Sequence, residues 1–140
     1  MKIKTSFVTN SSSTCFVLFR KKDCSLPEFI KEIGMDEGSP FQDVFEKLFH
    51  LFMDSSKVYD ARQFVEEHRW HKGGETFEEF ILRLFSQKTL DKLLQAEKDG
   101  YKIFMGDLYS DEDVIECFFC TSSFIIDTPN LFVDATNDCW

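Results

Sequence analysis

The sequence predicts an α+β fold in which all 140 residues form a single domain. Strand-like apolar segments occur near both ends of the chain, and apolar residues with helical spacing fill its middle. Because strands and helices form separate runs, we expect an antiparallel sheet of about five strands packed against about five helices. The simplest assembly pairs an N-terminal hairpin with a C-terminal meander and lays the helices on one face of the sheet.

The N-terminal hairpin is predicted from two apolar segments, residues 2–8 and 15–20, which flank a polar turn. Serine, threonine and asparagine fill this turn, and their side chains readily hydrogen-bond to nearby backbone groups. In the second segment, apolar and polar residues do not alternate. Such a pattern is typical of a strand that is covered on both faces.

Five helices are predicted next, and most of them begin at a recognisable capping signal. A serine or threonine followed three residues later by glutamate or glutamine marks the first turn of a helix. The predicted boundaries are capping boxes at residues 25–28, 39–42 and 76–79, a helix over about residues 60–70, and a last helix capped by Thr89. After Gly100 the pattern returns to that of strands, with candidates at residues 101–109, 114–120, 124–127 and 131–135.

Charge is distributed unevenly along the chain, whose formal net charge is −9. Residues 1–22 contain five bases and no acid, whereas residues 103–140 contain eight acids and no base. One interpretation is that basic first strands face acidic last strands within one sheet. The functional interpretation is an acidic contact surface, centred on Asp111, Glu112 and Asp113, that meets a basic partner.

The polar turn belongs to the most distinctive segment of the chain, Phe-Val-Thr-Asn-Ser-Ser-Ser-Thr-Cys-Phe at residues 7–16. This segment resembles the opening of a group of small, uncharacterised microbial proteins that read Phe-Val-Thr-Asn, then serines, then a phenylalanine. The resemblance implies no activity, and Thr14 and Cys15 stand where serines are common in that group. The residues of this turn that we select as candidate ligand-binding groups are Asn10, Ser11, Ser12 and Ser13.

Cysteine and histidine spacing raises the question of a metal or redox site. Cys117 and Cys120 have C-x-x-C spacing, but no second pair accompanies them and the segment is predicted to be a strand. His68 and His71 lie three residues apart on a predicted helix, where His68 falls on the apolar stripe. We therefore predict no metal and no cofactor.

Targeting and terminal features suggest where the protein acts. The N-terminal residues lack the apolar stretch of a signal peptide, and the chain lacks a run of about 20 apolar residues. These features and the odd number of cysteines, five, predict a cytoplasmic protein without a disulfide framework or membrane span. The terminal Trp140 either packs back onto the domain or anchors a partner.

Three functions are compatible with these patterns. The first is a non-enzymatic protein-binding module that acts through the acidic C-terminal surface, with an inhibitor or nucleic-acid mimic as one version. The second is a small enzyme or a nucleotide- or phosphate-binding protein that uses the serine-rich turn. The third is an oligomeric structural protein. Direct nucleic-acid binding is disfavoured, because a chain with net charge −9 repels phosphates.

Overall fold

The computed structural model describes residues 13–21, 24–36, 38–68, 73–109, 115–116, 119 and 123–138, with only the backbone of His68 and Asp138. Within these residues it contains five strands and five main helices, which confirms the predicted α+β class. The elements are, in chain order, β1 (Ser13–Arg20), α1 (Leu26–Glu32), α2 (Gln42–Met53), β2 (Val58–Asp60), α3 (Ala61–His68), α4 (Phe77–Leu84), α5 (Gln87–Lys98), β3 (Ile103–Tyr109), β4 (Phe124–Asp127) and β5 (Leu131–Asp138).

The five described strands form one antiparallel sheet in the order β2-β3-β1-β5-β4. The first strand is therefore the central one, and it joins the two C-terminal strands β3 and β5. This arrangement confirms the expected long-range closure of the sheet. The expected N-terminal hairpin would need a free side of β1. In the structure β3 pairs with one side of β1 and β5 with the other. Residues 2–8 lie outside the described residues.

Helices cover both faces of the sheet, so the prediction of a single covered face is wrong. We call the side packed against α1 and α2 the phenylalanine face, and the side packed against α3, α4 and α5 the mixed face. Alternate residues of β1 enter the two cores: Phe16 and Leu18 the first, Cys15 and Val17 the second. The continuous apolar run of this strand follows directly from burial on both sides.

Two of the predicted capping boxes mark helix starts in the structure. Ser25 caps α1, and its hydroxyl accepts a hydrogen bond from the Glu28 backbone N–H. Thr76 and Glu79 form a complete, reciprocal capping box at α4. These predictions were possible because a cap depends on residues only three positions apart.

The other two predicted starts are wrong. Helix α2 begins at Gln42, and its N-cap residue, Phe41, makes no side-chain capping hydrogen bond. The hydroxyl of Ser39 instead accepts a hydrogen bond from the backbone N–H of Phe41. Helix α5 is capped by Ser86, whose hydroxyl accepts a bond from the backbone N–H of Thr89. Thr89 itself is buried in the first turn of α5, because its side chain bonds to a residue of the sheet.

The strands after Gly100 agree with the prediction in part. Strand β4 has the predicted bounds, and β3 and β5 overlap their predicted segments. The segment 114–120 was expected to be a strand, but its described residues Ile115, Glu116 and Phe119 are helical. The three-residue strand β2 was not predicted, since it is too short to show a period.

Candidate functional site

The strand registers bring three predicted site segments to the same end of the sheet. Ser13 at the start of β1 pairs with Tyr109 at the end of β3, and Thr14 pairs with Asp138 near the end of β5. The serine-rich segment ends there, and the acidic segment and the C-terminus begin there. We call this region, defined by Ser13, Tyr109 and Asp138, the sheet end.

Of the candidate binding residues, Ser13 alone belongs to the part of the chain that the structure describes. Ser13 and Thr14 lie in β1 and not in a turn, and Thr14 is completely buried. The candidates that lie outside the described residues are Asn10, Ser11, Ser12, Asp111, Glu112, Asp113 and Trp140.

A group of polar side chains lies on the mixed face beside the sheet end. The alternation of β3 places Asp107 on the same side as the buried residues Ile103 and Met105. The Tyr59 hydroxyl lies 3.4 Å from Oδ2 of Asp107 and donates a hydrogen bond to it. Tyr109 forms a second side-chain hydrogen bond with the same carboxyl. Two phenols thus hold one carboxyl group.

Burial dominates the electrostatics of this group. It raises the pKa of Asp107 above its ordinary value, while the hydrogen bonds from Tyr59 and Tyr109 act in the opposite direction. Burial also raises the pKa of the Tyr59 phenol, and the nearby Asp107 and Cys15 add to this effect. Tyr59 consequently remains a protonated hydrogen-bond donor at neutral pH.

Cys15 lies opposite Asp107 in the sheet and completes the group. Its side chain is only 5% exposed. A reactive cysteine needs an accessible thiolate, which a basic neighbour stabilises. Because the thiol of Cys15 is buried, it lacks the first property, and it is suited to packing and not to nucleophilic attack.

The other described acids of the C-terminal region have partners inside the domain. Asp134 accepts hydrogen bonds from the hydroxyls of Thr89 (2.5 Å) and Thr136 (2.6 Å), and it is 1% exposed. Asp127 pairs with Lys92 of α5 at 2.8 Å. These acids therefore bind hydroxyl groups or a lysine of the domain itself.

The basic residue of β1 does not pair with the acidic last strands either. Arg20 donates a 2.6 Å hydrogen bond to the carbonyl of Phe52, and its guanidinium lies 4.6 Å from the centre of the Phe104 ring. The interpretation that charge segregation reflects strand pairing is therefore wrong for this residue. Its charge instead fixes α2 to the sheet.

Metal ligation finds no support among the side chains that the structure describes. Within them, no three histidine, cysteine, aspartate or glutamate residues are grouped so that they could hold a metal ion. The predicted candidates Cys117, Cys120 and His71 lie outside the described residues, as does the side chain of His68.

A groove at the opposite end of the sheet does not join this group. It has a volume of about 750 Å³ and lies between α5 and the turn that follows β4. Its lining includes Phe19, Lys21, Lys92 and Tyr101. Lys21 follows the last residue of β1, whereas the serine-rich segment precedes the first. The groove and Ser13 therefore lie at opposite ends of β1.

Comparison with known proteins adds no assignment: the chain matches no protein-family profile, no curated protein and no solved structure. The polar group must be interpreted from its own chemistry. Sequence reasoning missed Tyr59 and Asp107 as a pair, because they are 48 positions apart. The available signal was the position of Asp107, which lies two residues after Met105 and so falls on the same side of β3 as the buried residues Ile103 and Met105.

Among the described residues, no helix is sufficiently long and apolar to cross a membrane.

Proposed function

We propose that the chain is a cytoplasmic, non-enzymatic protein-binding module whose contact surface is the sheet end. The observation that supports this proposal is the register of β1 with β3 and β5, which pairs Ser13 with Tyr109 and Thr14 with Asp138. Three segments selected from sequence for different reasons are attached to one place. An inhibitor or a mimic of nucleic-acid phosphates is one version of such a module.

The chemistry of the sheet end suits recognition of a basic protein surface. Tyr109 is 41% exposed, and tyrosine is enriched among the residues that contribute most to protein interfaces. The acidic residues Asp111, Glu112 and Asp113 follow directly. Negative charge around an aromatic anchor speeds association with a positive partner and makes binding sensitive to salt.

Binding is favoured over catalysis because of how the polar group is built. General acid–base or nucleophilic catalysis needs a reactive group within reach of a base and of the substrate. Here the thiol of Cys15 is buried, and the carboxyl of Asp107 is held by two phenols. The serine-rich alternative loses part of its basis, since Ser13 is a strand residue.

The test is affinity capture from a lysate of the native host, at low and at high salt, followed by mass spectrometry. We expect a stoichiometric partner with a basic surface, released at high salt. The triple variant Asp111→Asn, Glu112→Gln, Asp113→Asn should lose this partner and keep its melting temperature. The purified partner should then reproduce the difference in direct binding measurements.

The matched control removes the same charge elsewhere. Asp36, Asp43 and Asp99 are exposed residues next to or within helices, and changing all three to asparagine leaves the acidic segment intact. We expect this control to retain the partner. If both triple variants bind equally, the acidic segment is not the contact surface. Capture that is indifferent to salt would also contradict the proposal.

A further inference from the structure

We propose that the groove between α5 and the turn after β4 binds a mononucleotide, whose base stacks on aromatic rings of the lining and whose phosphate meets lysines. The rings belong to Phe19 and Tyr101. The lysines are Lys21, on the sheet wall of the groove, and Lys88, on the helix wall. This site is independent of the proposed function, because the groove and the sheet end lie at opposite ends of β1.

The first argument is the size of the groove. Its volume of about 750 Å³ lies in the range of about 300–1,000 Å³ that is typical of small-molecule sites. Its lining comes from three parts of the fold: helix α5, the turn that follows β4, and the chain at the end of β1 and before β3. A groove of this size accommodates a base, a sugar and a phosphate together, whereas a single-ring acid would fill only part of it.

The second argument is the aromatic surface of the groove. The rings of Phe19 and Tyr101 are nearly parallel, with 15° between their planes and 6.5 Å between their centres. Phe132 of β5 also packs nearly parallel to Phe19, at 5.6 Å and 21°. Phe132 is buried, whereas Phe19 and Tyr101 are half-buried and line the groove. Such rings form a stacking surface that accepts any nucleobase, because every base has a π-face.

The third argument is the charge of two lysines in the lining. Within the part of the chain that the structure describes, the ammonium groups of Lys21 and Lys88 form no hydrogen bond or ion pair. Lys92, another lysine of the lining, is already paired with Asp127 at 2.8 Å. A phosphate offers negative charge and several acceptor oxygens, and lysine is a common partner of such groups. Lys21 and Lys88 therefore make the groove complementary to a phosphate.

Acidic residues of the lining do not cancel this complementarity. Asp127 is neutralised by Lys92. Asp91 and Asp99 are exposed, and each accepts a hydrogen bond from a glutamine four residues earlier in α5. The net charge of −9 disfavours a nucleic-acid chain, which spreads over a large surface. It acts less on a mononucleotide, because exposed charges more than about 8 Å away are largely screened at physiological ionic strength.

The experiment is an NMR titration of the full, ¹⁵N-labelled chain with adenosine monophosphate. Adenosine, which lacks the phosphate, and ribose phosphate, which lacks the base, serve as control ligands. We expect saturable shifts of the backbone amides of Phe19, Lys21 and Tyr101 with adenosine monophosphate, and weaker binding of both controls. The absence of saturable shifts at these amides would overturn the inference. Binding of either control as tightly as adenosine monophosphate would also overturn it.

Three variants test the assigned roles. Lys21→Gln and Lys88→Gln each remove one charge and should weaken binding of adenosine monophosphate about two- to fivefold, as expected for exposed ion pairs. Tyr101→Leu removes a ring and should weaken binding at least about fivefold, as expected for one lost base–aromatic stack. The matched control is Lys98→Gln, which changes an exposed lysine of α5 outside the groove lining and should bind as the wild type does.

Spectra of each variant without ligand verify that it is folded. The two lysine variants change side chains that lack an ion pair, so they preserve the test if Tyr101→Leu does not fold. If Lys21→Gln and Lys88→Gln bind adenosine monophosphate as tightly as Lys98→Gln does, the phosphate is not held by these lysines and the inference is wrong.

The triple variant of the acidic segment separates this site from the sheet end. We expect it to bind adenosine monophosphate with the affinity of the wild type, because the groove lies at the other end of β1. Loss of nucleotide binding in this variant, with unchanged binding by Lys21→Gln, would assign the nucleotide to the sheet end and overturn the inference.

Discussion

The two faces of the sheet are built from alternate residues of the same strands, yet they differ in chemistry. On the phenylalanine face, Phe16 packs edge-on against Phe52 with ring centres 5.2 Å apart, and Phe29 packs against Phe49 at the same distance. On the mixed face, the core includes the buried, hydroxyl-bonded carboxylate of Asp134. Nearer the sheet end, the mixed face also holds Asp107.

From this difference we infer which face of the sheet contributes most to stability and which contributes to recognition. A closely packed aromatic core loses much free energy when a ring is removed, because the surrounding groups relax only partly. A buried carboxylate contributes little net stability and is sensitive to loss of any single donor. We therefore expect the phenylalanine face to dominate the free energy of unfolding and the mixed face to carry the polar chemistry.

The largest effect should come from removing a central ring of the phenylalanine face. Phe52 is completely buried and contacts Phe16. We expect Phe52→Ala to lower the free energy of unfolding by about 3–5 kcal/mol. Urea denaturation measures this change, and an unaltered m-value verifies that the unfolding reaction is the same.

The matching substitution on the mixed face is Phe77→Ala. Phe77 is the first residue of α4, and Arg62 lies against its ring, so water and the arginine stem can fill part of the space. We expect a smaller loss than for Phe52→Ala. A Phe77→Ala loss that equals or exceeds the Phe52→Ala loss would remove the distinction between the faces.

The next largest effect concerns the buried carboxylate of the mixed face. Thr89 is 2% exposed and donates a 2.5 Å hydrogen bond to Oδ2 of Asp134. Thr89→Val keeps the shape and leaves that oxygen without its donor, which should cost about 1–3 kcal/mol of unfolding free energy. Thr89→Ser keeps the hydroxyl and should retain most of the stability in chemical denaturation. Equal losses in both variants would attribute the effect to packing alone.

A smaller effect is expected at the helix caps, which differ between α5 and α2. Ser86 caps α5 on the mixed face, whereas α2 on the phenylalanine face has no side-chain cap. Ser86→Ala should lower the free energy of unfolding by about 1 kcal/mol. Ser39→Ala, near the start of α2, should cost clearly less, since its hydroxyl bonds to an exposed N–H outside the helix. Similar thermal melts for the two variants would contradict this ranking.

The parts of the fold that could be predicted are those fixed by short stretches of sequence. The caps at Ser25 and Thr76 depend on neighbours three residues away, and the unbroken apolar run of β1 indicates burial on both faces. The expectation of helices on a single face of the sheet conflicted with that apolar run. In the structure, helices cover both faces, as the run indicates.

The arrangement around the sheet end could not be predicted, because distant residues create it. Tyr59 reaches Asp107 only because the unpredicted strand β2 pairs with β3. Thr89 looked like a cap from sequence, but its partner Asp134 lies 45 positions away. Helix propensity and period contain no information on such contacts, which depend on strand order and register.

The smallest effect, a pH dependence of stability, compares one carboxylate beside each face. Burial raises the pKa of Asp107 on the mixed face. Hydrogen bonds from the Ser56 side chain and backbone lower the pKa of Asp54, which follows α2 on the phenylalanine face. The two groups should therefore contribute to stability with opposite signs as pH changes.

The test follows thermal unfolding of the wild type, Asp107→Asn and Asp54→Asn between about pH 3 and pH 7, around the ordinary aspartate pKa of about 3.9. Because the folded protein binds the Asp107 proton more tightly than the unfolded chain does, that stabilisation is complete below the unfolded pKa. It is lost as pH rises through the folded pKa. The melting temperature of Asp107→Asn should therefore increase relative to that of the wild type as pH rises. For Asp54 the stabilisation exists above the unfolded pKa and is lost as pH falls through the folded pKa. The melting temperature of Asp54→Asn should therefore increase relative to that of the wild type as pH falls. If the melting temperatures of the two variants, each relative to the wild type, change with pH in the same direction, the two carboxyl environments do not differ as described.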